Sequence, residues 1–176
     1  MKKFLLIALL VGCIAAIAIG CGMRGQSVDA QADAYLRVHI RADSNEAAAQ
    51  AVKYKVRDAV VEFLNPTVAD CATKEAAMKK IGEKLTEIEE VAGRVLRANG
   101  FSYGARASLR REEFPTRMYA DTTLEAGEYD ALILELGSGK GDNWWCVVYP
   151  PLCFTSGNGN IVYKSKIAEI IKKFFG

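Results

Sequence analysis

Tyr35-Leu36-Arg37-Val38-His39-Ile40-Arg41 alternates large apolar or aromatic side chains with polar ones, and Ala42-Asp43-Ser44-Asn45-Glu46 then leads into an Ala-rich stretch. A period of two is what a strand with one buried face requires, so Leu36, Val38 and Ile40 are assigned to the core. Arg37, His39 and Arg41 fall on the polar face. Asp43 and Glu46 have capping-box spacing, with Asp43 as the cap and Ser44 as its competitor, so a helix begins there. Val52, Val56, Val60, Phe63 and Leu64 recur at threes and fours until Asn65-Pro66 stops it. A second helix is predicted over Thr73–Ala98, with Ile81, Leu85, Ile88, Ala92, Val95 and Leu96 on its stripe and Asn99-Gly100 at its end. Gly82 and Gly93 each cost it about 1 kcal/mol against Ala, so it depends on tertiary packing.

From Phe101 onward the pattern is one of strands: Ala105–Glu112, Thr116–Leu124, Tyr129–Leu136 and Trp144–Tyr149, each bounded by Gly, Pro, Asp or Asn. Short loops favour antiparallel neighbours. The expected fold is therefore α+β, a two-layer sandwich: a mostly antiparallel sheet of about five strands with two long helices on one face. Pro150-Pro151 ends the last strand, Ser156–Asn160 is a turn, and Tyr163–Phe175 reads as a C-terminal amphipathic helix.

The chain has 176 residues, 51% of them hydrophobic and 25% charged. That balance excludes collagen-like, low-complexity and wholly disordered proteins and leaves room for one domain. Lys and Arg total 23 against 21 acids. So even a balance argues against nucleic acid as a partner. The first 23 residues are a separate object: Lys2 and Lys3 precede an uncharged apolar run from Phe4 to Gly20. This is an export signal or a membrane anchor, and at the short end for a spanning helix both cleavage and retention stay open. Ala30-Gln31-Ala32 offers an A-x-A cleavage site some distance past the run, and Ala18-Ile19-Gly20-Cys21 has the shape of a lipid-attachment box without its usual Leu. Residues 24–34 read as a linker and residues 35–176 as one domain. Without residues 1–32 the basic and acidic side chains number 20 each, so the exported part is neutral.

Chemical motifs are sparse. Gly137-Ser138-Gly139-Lys140-Gly141 invites a phosphate-loop reading, but no Ser or Thr follows the Lys and a Trp-rich strand comes next; a hairpin turn fits better. Asp121-Thr122-Thr123 resembles an aspartic-protease motif, but Thr stands where that motif has Gly and the chain has no second copy. His39 is the one histidine. It is read either as a strand-face residue bonded to a loop or as half of a Cys-His pair with Cys146 or Cys153. Those two cysteines lie seven apart across a Pro-Pro turn, where a disulfide would clamp the reversal; the alternative is two buried thiols. Trp144 and Trp145 must point to opposite sides of their strand, so one ring faces away from the helical core.

Four ordered segments carry a family resemblance. Leu36-Arg37-Val38-His39-Ile40-Arg41-Ala42-Asp43-Ser44, Lys55-Val56-Arg57-Asp58-Ala59-Val60, Phe114-Pro115-Thr116-Arg117-Met118-Tyr119 and the long stretch from Gly139 through Trp144-Trp145-Cys146 to Phe154 together resemble the stage II sporulation protein R family. The resemblance implies a signalling protein of endospore-forming bacteria, made in the forespore and exported into the space between forespore and mother cell. There it would activate a membrane-embedded aspartic protease that removes the pro-segment of pro-sigma-E. It implies no enzymatic activity in this chain, and neither cofactor, metal nor small-molecule substrate is expected. An aromatic-plus-Arg cluster is what binding hot spots favour, so Arg117, Tyr119, Asn143, Trp144 and Trp145 are the expected partner surface, with His39 and Arg41 as a second patch. The competing readings are a cell-envelope hydrolase built on His39, Glu112 and Glu113, and a structural envelope lipoprotein modified at Cys21.

Overall fold

The computed structural model describes residues 30–119 and 122–152. The elements are β1 (Leu36–Arg41), α1 (Ala47–Val68), α2 (Lys74–Gly82), α3 (Leu85–Ala98), β2 (Ala105–Phe114), β3 (Arg117–Tyr119), β4 (Thr122–Leu124), β5 (Gly127–Leu136) and β6 (Asn143–Tyr149). Four strands form one sheet in the order β2-β5-β1-β6, and β3 and β4 form a separate two-stranded hairpin. β1 runs parallel to β5 and antiparallel to β6, and β2 is antiparallel to β5. The fold is α+β, with α1–α3 against one face of a mixed, mainly antiparallel sheet.

Alternation sorts the side chains as expected. Leu36, Val38 and Ile40 join Leu132, Leu134, Leu136, Cys146 and Val148 in a core closed by Val52, Val56, Val60 and Leu64 of α1, Ile81 of α2, and Ile88, Ala92 and Leu96 of α3. A second, smaller core lies on the other face, where Phe114, Tyr129, Ala131 and Ile133 pack with Ala32 and the half-buried Trp145.

Several boundaries differ from the sequence expectation. α1 continues through Pro66 to Val68. Thr67 and Val68 are buried, Thr67 Oγ1 donates to Phe63 O at 3.4 Å and Ala69 N donates to Asn65 O at 3.0 Å, so packing carries the last turn past the missing proline donor. The second predicted helix is two, α2 and α3, broken at Glu83-Lys84 directly after Gly82, one of its two low-propensity glycines, while Gly93 stays helical inside α3. α2 starts at an N-cap, Thr73, whose hydroxyl accepts from Ala76 N at 3.2 Å. The predicted strand Thr116–Leu124 is instead the β3–β4 hairpin. Residues 30–34, expected as linker, are helical. Ala32 is buried there, and Gln31 accepts from Glu125 N at 3.0 Å and donates to Thr123 O at 3.2 Å. Packing therefore begins before Tyr35. The signal segment 1–23, the turn at Ser156–Asn160, the C-terminal helix and Cys153 lie outside the described residues.

The glycine-rich segment is no hairpin turn, because β1 lies between β5 and β6. The chain must instead cross the end of β1, which brings residues 137–142 against residues 42–45. Asp43 does not cap α1; Glu46 is the N-cap, without a side-chain bond. The Asp43 carboxylate accepts from Ser138 N at 2.6 Å, Ser138 Oγ donates to Asp43 O at 2.7 Å and Gly141 N donates to Ala42 O at 2.8 Å. Asn45 Oδ1 accepts from Asp142 N at 2.6 Å, and the buried Lys53 Nζ donates to Asp142 O at 2.9 Å. Backbone approaches backbone here: a Cβ on Gly141 would stand 2.3 Å from Ser44 O. Gly141→Ala should therefore lower stability by about 1–3 kcal/mol in urea unfolding. Gly104→Ala, where a Cβ meets nothing within 4 Å, should leave the midpoint nearly unchanged.

Candidate partner-binding face

The site is built on the sheet face opposite α1–α3, where the helical residues 30–34 pack through Ala32. Pairing places Arg41 beside Asn143 and His39 beside Trp145 across β1 and β6, and Arg41 beside Glu135 across β1 and β5. His39 Nδ1 lies 2.7 Å from Glu112 Oε1, although β5 stands between β1 and β2. The contact requires the long β2–β5 ribbon to coil over β1, as strongly twisted antiparallel pairs do.

Glu112 is the centre of the polar network. It accepts from His39, from Arg41 Nη2, and from Arg110 Nε at 3.2 Å. Arg41 Nη1 also donates to Glu135 Oε1 at 3.0 Å. Burial alone would raise the Glu112 carboxyl, but the bond to His39, the Arg41 charge and Arg110 outweigh it and hold it below its ordinary value. An ionised Glu112 only accepts, so Nδ1 of neutral His39 carries the proton and Nε2 is left as an acceptor. Nε2 makes no hydrogen bond of normal length.

The imidazole is 3% exposed, stacked on Trp145 with centroids 5.4 Å apart and edge-on to Phe114 at 5.8 Å. Burial lowers its pKa below 6.5, against the raising influence of the Asn143 side chain and Glu112 and with a further lowering from Arg41. The imidazole is thus a buried member of the network, bonded through Nδ1 to Glu112. Cys146 packs in the helix-side core, so the alternative reading of His39 as half of a pair with Cys146 is not met. Among the described residues no group of three His, Cys, Asp or Glu side chains is placed to hold a metal ion. The Cys146–Cys153 disulfide falls on a residue outside those described.

Arg37 is completely buried on the same face. Its Nη2 donates to Tyr119 Oη at 2.9 Å, and its guanidinium carbon lies 4.2 Å from the Phe114 ring centroid and 4.8 Å from that of Tyr129. Cation–π attraction in a desolvated cage is its main compensation. Nε and Nη1 have no hydrogen-bond partner. The β3–β4 hairpin lies against this face: Tyr119 bonds Arg37, and the Arg117 guanidinium sits 4.5 Å from the Trp145 ring centroid. Between them in the chain, Met118 is 75% exposed.

Six of the seven predicted partner-binding residues thus converge, since His39, Arg41, Arg117, Tyr119, Asn143 and Trp145 belong to one face and its hairpin. What were expected as two patches are one. Trp144 is the exception: it packs against the helix-side core with the Arg57 guanidinium 5.6 Å from its ring centroid. Arg37, Glu112, Phe114 and Glu135 complete the face. Arg37 has a local signal in its place two residues before His39 in the alternation, and Glu112 is grouped with His39 in the hydrolase reading, where Glu113 instead proves exposed.

Fold and face together define a small α+β domain presenting an arginine–aromatic surface. The family model described as stage II sporulation protein R matches residues 32–158. The chain belongs to this family. It is 36% identical over 142 residues to the "Stage II sporulation protein R" of Bacillus subtilis strain 168, an alignment covering 80% of this chain and 63% of that protein. No solved structure matches. Among the described residues no helix is long and apolar enough to cross a membrane.

The depressed His39 pKa has a consequence for stability. The unfolded chain binds the His39 proton at higher pH than the folded one, so the stabilisation is complete above about pH 6.5 and is lost as pH falls through the folded value. Melting temperature should decline on acidification through this window, and His39→Gln should remove that part of the decline. A wild-type curve flat from pH 7 to the carboxylate range would contradict the assignment.

Proposed function

We propose that this chain is an exported signal of endospore formation: it leaves the forespore and activates a membrane-embedded aspartic protease, which then processes pro-sigma-E in the mother cell. The observation that carries this reading is the family match across residues 32–158. The apolar run Phe4–Gly20 behind Lys2 and Lys3 supports export, followed either by cleavage or by anchoring in the membrane. The arginine–aromatic face supports action by binding, since Arg, Trp and Tyr dominate interface hot spots.

Activation by a bound protein is a shift of population. The signal must bind the active form of the protease better than the inactive form, and moving an equilibrium from one state almost wholly to the other takes about 10⁴-fold preference. A face held by a fixed ion network suits this role, because little ordering is left to oppose binding.

The test is reconstitution in a non-sporulating host that makes the protease and pro-sigma-E, with this chain exported, retained in the cytoplasm, or absent. Processing is expected only with the exported chain. Arg117→Ala and Trp145→Ala should each abolish it while the variants remain folded, and Arg94→Ala on the exposed side of α3 should not. Processing without the chain, or undiminished processing by both face variants, would overturn the proposal. No processing in any arm would favour the envelope-hydrolase reading.

A further inference from the structure

We infer that the exposed arginines over the sheet face opposite α1–α3, Arg106, Arg110 and Arg117, form a docking site for an acidic peptide segment of the partner, an inference that rests on the reading that this face meets a partner. The whole chain is nearly balanced, with 23 basic and 21 acidic side chains, but this face is not. Alternation and register put Arg37, Arg41, Arg106 and Arg110 on it together with Glu112 and Glu135, and the hairpin adds Arg117 over Trp145. Both carboxylates are already engaged, Glu112 by Arg41 and Arg110 and Glu135 by the same two arginines. Among the described residues Arg37, Arg106 and Arg117 have no carboxylate partner. The buried Arg37 keeps Nε and Nη1 unbonded beneath the hairpin and is met by rings rather than by a carboxylate, so its charge adds to the potential of the surface above it.

The chemistry favours a peptide carboxylate. Every cation on these strands is arginine, whose planar fork matches a carboxylate in two parallel bonds, and Lys, the residue of polybasic lipid-binding segments, is absent from them. Trp145 and the exposed Met118 next to Arg117 supply the apolar contact that protein interfaces enrich beside arginine. Arg106, Arg110, Arg117 and Asn143 are the exposed members that the segment would meet first.

The test is fluorescence anisotropy of a fluorescein-labelled octaglutamate peptide titrated with the full chain in non-ionic detergent at about 0.15 M salt. Saturable binding is expected, with octaglutamine not binding. Arg106→Glu/Arg117→Glu, both at exposed positions, should weaken it by at least about tenfold and gain binding to octalysine. Absence of saturable binding, or equal affinity in the double variant, would overturn the inference. So would displacement of the peptide by phosphatidylglycerol doped into the micelles at lower concentration than by free octaglutamate, which would give the face to a lipid headgroup. If the peptide fails to bind while Arg117→Ala still abolishes pro-sigma-E processing, only the acidic occupant is overturned. If the peptide binds and Arg117→Ala processes normally, the docking chemistry stands and the signalling role of the face falls.

Discussion

β1 is hydrogen-bonded to a neighbour on both edges and all its residues but Arg41 are buried, so its polar side chains find their partners mainly inside the protein. Three of its six residues are Arg37, His39 and Arg41. Polar groups in that position are tolerated only with partners, and the rest of the site can be read as the set of those partners. Glu112 meets His39 and Arg41, Glu135 meets Arg41, and the rings of Phe114, Tyr129 and Tyr119 surround Arg37. The coil of the β2–β5 ribbon and the placement of the β3–β4 hairpin follow from the same requirement. Breaking the network at Glu112 would leave a buried imidazole without its acceptor and take from Arg41 one of its two carboxylates.

The other end of β1 is fixed by topology. A chain passing from β5 to β6 has to cross β1, and residues 137–142 do so in close backbone contact with the loop that starts α1. Helix layer, central strand and Trp-bearing edge strand are thereby held in one frame. This frame sets Trp145 on His39 and leaves Trp144 on the helix side.

Local periodicity made the elements legible. The inward residues of β1 and the stripe Val52-Val56-Val60-Leu64 need only the intervals of strand and helix. It could not show which strands are neighbours: the Gly137–Gly141 segment looks like a hairpin turn until β1 is known to intervene. Nor could it show what covers a face: Arg37 and His39 read as a polar face of the strand and are buried. Asp43 misled for a related reason, because its capping-box spacing was outcompeted by the amide of Ser138, remote in sequence. The convergence of Arg117 and Tyr119 with His39 and Arg41 is likewise tertiary, made by a hairpin that alternation alone read as a continuous strand.

The central claim is that the sheet face opposite α1–α3 meets the partner. Hydrogen–deuterium exchange of the full chain, alone and bound to the membrane protease, tests it most directly, because β6 is an edge strand and β3 lies in a two-stranded hairpin, where amides exchange readily when free. The account predicts slowed exchange over residues 117–119 and 143–147, with α1 and α3 unchanged. Protection confined to α1 and α3, with the β3 and β6 amides exchanging as in the free chain, would contradict it.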